Sequence, residues 1–417
     1  MITNYNELNE PQRNNLVHFL DRAQTNHLDK MKKGYAVGHA RSLGGYRQNV
    51  LDSLMFTLIP FNDFIDWLCH VELEGNNTLF IYEPNDASIF EKHTLEHVYS
   101  SASRILVNIY NVNADELEDI KLVNVQKENQ QLIFTLAAPS TLQIKDQESG
   151  AITLKKYIYL AYIIMDYDLK HFVLSMHPTT YVTSIAGETK KKEWDELTWI
   201  LINKFRKLVI NFEFSEPRWL TKALYKITHE FFYHNNPIIE EKLKQFENEA
   251  INNILKIVVQ NEKSFSRDEH KLRFKKSLLK MYENELISLY KPMPRETSFE
   301  VFLQQTDKGV TEFKANSKGR AMSYAEAGEI IDLMWENGNV ISLGIIHYSP
   351  GEIKRRHPYI ISKSDHYFSL KKFNTASTEK EVVNDVLRKL NKYKQAVRPT
   401  IGFSTDVELR INASETR

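Results

Sequence analysis

The chain has 417 residues, 54 Lys and Arg balanced by 54 Asp and Glu, and one cysteine. That length exceeds one comfortable hydrophobic core and predicts two to four units, while a lone cysteine excludes a disulfide scaffold or a cysteine-clustered zinc site within one chain. The balance is global but not local: residues 1–200 carry 18 Lys and Arg against 26 Asp and Glu, and residues 201–417 carry 36 against 28. A basic half concentrates phosphate-bearing or acidic ligands and says nothing about fold.

Hydrophobic residues make up 42% of the chain, with 22 Phe, 20 Tyr and 5 Trp, which is ample for folded cores. Residues 1–7 lack the cationic start and apolar core of a secretory signal, so export is not expected. The longest apolar run, residues 157–165, abuts Lys155 and Lys156 and is far shorter than the roughly 20 residues that span a bilayer. A soluble, cytoplasmic protein in a reducing compartment is expected. The abundance of Asn, Lys and Ile suits a bacterial or mobile-element gene.

In chain order, Pro11 suits a first helical turn, and Leu16, Leu20, Ala23 and His27 recur at helical spacing, predicting one helix up to the glycines beginning at Gly34. Val50, Leu51, Leu54, Met55 and Leu58 form a second stripe ended by Pro60, and Phe61, Phe64, Ile65 and Leu68 a third. Residues 78–82 read as a strand, 89–109 as a helix, and 120–125, 131–136, 157–165 and 171–176 as strands of an antiparallel sheet. Residues 190–290 are strongly helical, and Lys291-Pro292-Met293-Pro294 marks a boundary. Beyond it, Asp307-Lys308-Gly309 is hairpin chemistry, a helix is expected over 323–336, strands over 340–346, 359–361 and 367–370, and a last helix from Glu379 to about Ala396. The expected class is multidomain α+β: a helical N-terminal bundle (1–75), a mixed region with antiparallel strands (76–188), a helical region with basic faces (189–291) and a C-terminal α+β domain (295–417).

Four basic constellations are candidates. Lys354, Arg355, Arg356 and His357 sit in a proline-bounded segment between two expected strands, where cations suit phosphate contacts; the plain alternative is a solvated turn at a sheet edge. Arg273, Lys276 and Lys280 share one helix face, and Arg218, Lys222 and Lys226 share another; each taken alone is more often an ordinary solvated face. The segment 34–47 gathers Gly44 and Gly45 with His39, Arg41 and Arg47 before a helix start, which can hold an anion, although its spacing matches no nucleotide motif and a linker explains it as well.

Catalytic and metal patterns are weaker. Asp166 and Asp168 have the spacing of a cation pair but also of a turn, and Glu352 with Lys354 has that of a nuclease acid and lysine without the strand that chemistry needs. His229, Glu230 and His234, and His366 beside Asp365, lack the spacing of zinc hydrolases, and Cys69 has no nucleophile signature. No cofactor or metal is expected. The leading expectation is a non-enzymatic, nucleic-acid-associated protein, DNA or RNA, within a larger assembly. The alternatives are a protein-interaction or scaffold subunit, or a metal-dependent nuclease whose site is dispersed in sequence.

Overall fold

The computed structural model describes residues 2–35, 37–145, 151–177, 181–189, 195–232, 236–290, 297–307, 312–318, 320–322, 331, 334, 339–349, 354–374 and 379–397. The protein is mixed α+β. It divides into two compact units, Met1–Pro217 with Ser364–Asp385, and Arg218–Lys363 with Val386–Arg417. Of the expected helix over 323–336, Ile331 and Met334 are described and are helical and buried, while its other residues, the turn residues Lys308 and Gly309, and the segment 291–294 lie outside the described residues. Among those described, no helix is long and apolar enough to cross a membrane.

Unit 1 opens with α1 (Glu10–Leu20), α2 (Thr25–Gly34), α3 (Leu43–Met55) and α4 (Phe61–Cys69). The single helix expected from Leu16 to His27 is in fact two. An Asn9–Gln12 capping box starts α1, with Pro11 in its first turn. Gln24 starts α2, its N–H donating to His27 Nδ1 at 3.2 Å. Between them, Arg47 from α3 donates to the carbonyls of Asp21 and Ala23, the latter at 2.9 Å. Terminal helix carbonyls have no partner within the helix, and a cation reaching them both satisfies and favours that end. A cap drawn from 24 residues away leaves no local signal, so helical spacing alone reads straight through the break. The second stripe also overreaches: Met55 and Leu58 are exposed, and the chain turns at Thr57 with a φ of 58°.

The sheet of unit 1 is built from β1 (Thr78–Pro84), β2 (Lys121–Glu128), β3 (Gln131–Lys145), β4 (Ile152–Asp166), β5 (His171–Met176), β6 (Val182–Ile185), β7 (Glu188–Thr189) and β8 (Phe214–Ser215). The strand Phe368–Lys372 pairs antiparallel with the edge of β1 that β5 leaves open. From that strand the order is β1, β5, β4, β3, β6 and β7, with β2 also on β3 and β8 also on β1. β3 and β4 run in register from Gln131 opposite Asp166 to Lys145 opposite Ile152. The other edge of β3 is shared, β2 taking its first half and β6 a short stretch beyond.

Side chains alternate across a strand, so neighbouring residues of β4 enter different cores. Ile158, Leu160 and Tyr162 join α1–α4 in one cluster. Tyr159, Ala161, Ile163 and Met165 join α5 (Lys92–Arg104) and α6 (Asp195–Leu208) in another. A strand covered on both faces must be apolar at every position, which is why residues 157–165 read as one unbroken run. α5 ends at Arg104, five residues before the expected stop, because Val107 N–H donates to Leu122 O at 2.9 Å and ties the chain to β2. The β4–β5 turn uses Asp166, whose Oδ1 accepts from the N–H groups of Asp168 and Leu169, while Lys170 takes a φ of 55°.

Unit 2 contains α7 (Trp219–Phe232), α8 (Pro237–Phe246), a π turn (Glu247–Ile251), α9 (Asn252–Asn261), α10 (Asp268–Tyr290), β9 (Glu300–Asp307), β10 (Glu312–Asn316), β11 (Asn339–Tyr348), β12 (Arg356–Lys363) and the part of α11 (Lys380–Val397) from Val386 onward. Its antiparallel strands lie in the order β10, β9, β11, β12. α7 buries Leu220, Ala223, Leu224 and Ile227 and packs on β9 and β11. α11 adds Tyr393, stacked on Phe299 at 6.2 Å with its hydroxyl donating to Glu230 at 2.6 Å. The β9–β11 ladder shifts register twice, the second time between Gly344 and Ile345.

Gly344 is required by space. A Cβ there would stand 2.6 Å from Leu303 Cβ and 2.7 Å from the Phe302 ring, and Leu303 Cβ cannot move without its strand. Gly344→Ala is expected to destabilise the protein by about 1–3 kcal/mol through overpacking. Urea unfolding followed by far-UV circular dichroism measures this, and an unchanged midpoint contradicts the packing argument.

Candidate nucleic-acid interface

The β11–β12 connection in unit 2 is closed at its base by two hydrogen bonds. Ser349 N–H donates to Arg355 O at 3.1 Å, and Arg355 N–H donates to Ser349 Oγ at 3.3 Å. The strand begins earlier than expected: Arg356, His357 and Pro358 are β12 residues, opposite Tyr348, His347 and Ile346. Only Lys354 and Arg355 of the expected cations therefore stand in the connection. Lys354, Arg355 and Arg356 are all exposed, and His357 is half-buried with its ring 6.3 Å from that of His347. Tyr348 beside Arg356 donates to Glu300 at 2.8 Å, and its burial, followed by that hydrogen bond, raises the phenol above its ordinary range. Lys354 and Arg355 make no ion pair among the described residues. Two exposed cations thus stand beside a closure anchored by Ser349, with no ion pair among the described residues.

The other cationic rows differ in how much charge they leave available. Lys222 is exposed and Lys226 half-exposed on α7, and Arg218 is exposed just before that helix. Lys394, buried against the same helix, lies 5.6 Å from the Trp219 ring. On α10, Arg273 and Lys276 are exposed, whereas Lys280 pairs with Glu283 at 3.0 Å and the neighbouring Lys275 with Glu247 at 2.7 Å. α7 packs on the sheet and α10 on α8, so the two rows belong to different layers of unit 2.

The segment 34–47 in unit 1 is committed mainly to structure. Arg47 caps α1; Ser42 Oγ accepts from Gly45 N–H at 3.1 Å; His39 Nδ1 and Tyr46 Oη are 2.6 Å apart; and Asn49 donates to Gly38 O at 2.9 Å. Arg41 and Gly44 alone of the expected anion-site residues are exposed without such a role. Asp166 is similarly absorbed by its turn and by Gln131, which donates to it at 2.7 Å. Cys69 is fully buried, and burial pushes its thiol above the usual range. Among the described residues, no three His, Cys, Asp or Glu side chains gather as metal ligands.

Two features of unit 1 escape sequence reading because their members are dispersed along the chain. One is an open cleft of about 420 Å³ with Glu118, Asp119, Glu188, Trp199, Lys204 and Lys207 in its wall. Its central ion pair, Lys204 with Asp119, holds the Asp119 carboxyl below its ordinary range. The other is a buried cation. Arg22 stands over the Tyr157 ring at 4.2 Å, donates to Ile158 O at 2.7 Å, contacts His18 Nε2 at 3.1 Å and lies 3.7 Å from Glu72. Burial first, and the Arg22 charge second, lower His18 to about 4, and burial raises Tyr157 to about 12. No family model matches this chain, and no curated protein matches it either.

Two outcomes follow from these placements. Arg47→Ala is expected to cost about 1–3 kcal/mol by removing the donor to the carbonyl of the buried Ala23 and to that of Asp21, whereas Arg41→Ala should stay within about 0.5 kcal/mol of the parent in thermal unfolding. Equal effects contradict the capping role. His18 is depressed in the folded state, so as pH falls below 6.5 the unfolded chain takes up the proton first, and stability drops between pH 6.5 and about 4. Melting temperature against pH measures this, with a shallower decline expected for His18→Gln; an identical decline removes His18 as a cause.

Proposed function

We propose that the protein is a non-enzymatic nucleic-acid-associated factor whose unit 2 contacts phosphates through the β11–β12 connection. The observation that carries this reading is the display of Lys354 and Arg355 on an anchored turn, with Arg356 exposed at the strand beside them. Phosphate contacts need cations that reach solvent and are not already neutralised, and they supply most sequence-independent affinity through counterion release. Lys222, exposed on α7, adds a further cation in the same unit. A cytoplasmic setting and a place in a larger assembly accompany this reading, in keeping with the single buried cysteine and the acidic first half.

The test is fluorescence anisotropy with labelled single- and double-stranded DNA and RNA over a salt series, comparing the parent with Lys354→Ala/Arg355→Ala. Binding should weaken linearly on a log–log plot, with the slope falling by roughly one unit for each lost phosphate contact. Absence of binding at low salt, or an unchanged slope in the variant, overturns the proposal.

A further inference from the structure

In unit 2, residues 237–290 form an arm of two antiparallel limbs. α8, the π turn and α9 make the first; α10 returns beside it over about 35 Å, from 23 residues at 1.5 Å each. The alignment is fixed by Lys242 over the Tyr290 ring at 5.5 Å, Phe246 stacked on Tyr282 at 4.2 Å, Lys275 on Glu247, and Phe265 against Phe274 near the tip at 5.6 Å. Its core is confined to the base, where Ile239, Leu286 and Ile287 are buried with Leu243 and Tyr282 around them. α9 buries no residue at all. Two helices cannot cover an apolar stripe that extends round both, and here Ile257, Met281 and Leu289 remain 58%, 54% and 73% exposed.

Charge along the arm identifies what covers it. The base, residues 237–249 and 281–290, carries two Lys against six Glu; the distal part, residues 250–280, carries eight Lys and Arg against three Asp and Glu. An arm acidic at one end and basic at the other complements itself when turned end for end, the arrangement a twofold axis imposes. We infer that the arm pairs antiparallel with the arm of a second copy, closing a four-helix bundle over Met281 and Leu289. Opposed charges set the register, and apolar burial supplies the affinity. Arg273 and Lys276 then face the partner's acidic base, separately from the phosphate role proposed for the β11–β12 connection.

Sedimentation equilibrium of the full chain tests this over a range of concentrations and two salt levels. The parent should dimerise reversibly and more weakly at high salt. Arg273→Glu/Lys276→Glu should raise the dimer dissociation constant about tenfold or more, and adding Glu241→Lys/Glu285→Lys to it should restore dimerisation. All four positions are exposed, so circular dichroism should match the parent in each variant. Met281→Glu should give a folded monomer. A chain that is monomeric throughout, or a dimer that none of these changes disturbs, overturns the inference; so does a monomer whose nucleic-acid binding falls with Arg273→Glu/Lys276→Glu, which assigns the tip to phosphate instead.

Discussion

The antiparallel ladder between β3 and β4 is the constraint on which unit 1 depends. Its apolar half presents Ile158, Leu160 and Tyr162 to one side and Tyr159, Ala161, Ile163 and Met165 to the other, all buried. Neither face can be left to water, so helices must lie on both, and α1–α4 and α5–α6 occupy those layers. The strand Phe368–Lys372 completes the sheet by pairing with β1 from about 290 residues further along, so unit 1 cannot close until most of the chain has been made. Arg47 has a comparable role at smaller scale, turning what spacing presents as one helix into two.

Unit 2 meets the same demands with less symmetry. Its strands shift register around Gly344, where Phe302 and Leu303 approach too closely for any side chain. α7 and the later part of α11 bury their apolar faces on it, while the arm formed by α8–α10 keeps only a small core at its base. This contrast puts the larger buried core at the sheet and leaves apolar and charged side chains of the arm exposed. Exposed single ion pairs contribute little to stability, so the segregation of charge along the arm is better read as specificity.

Local patterns were legible in the sequence where a single chemical rule governs them. The continuous run at 157–165 reads as a strand of an antiparallel sheet and is one; the Asp166 turn, the β9–β10 hairpin and the last helix all lie where their residues put them. What depends on distant residues was not legible. The split of α1 from α2 rests on Arg47, the early end of α5 on Leu122, and the first strand's second partner on residues 368–372. The same division holds for sites: the cations at 354–356 stand out as a run, but that Arg356 belongs to a strand, that Arg47 is spent as a cap and that Lys280 has a carboxylate partner are facts of tertiary contact. The cleft at Asp119 and the Arg22 cluster draw on separate segments and have no linear signature.

The central claim is that phosphate contact resides on one anchored turn of unit 2. Hydrogen–deuterium exchange of the full chain, with and without a saturating oligonucleotide, addresses it directly. Protection is expected at residues 349–358, with little change in the sheet of unit 1. Protection confined to unit 1, or none anywhere while the oligonucleotide is demonstrably bound, would contradict it.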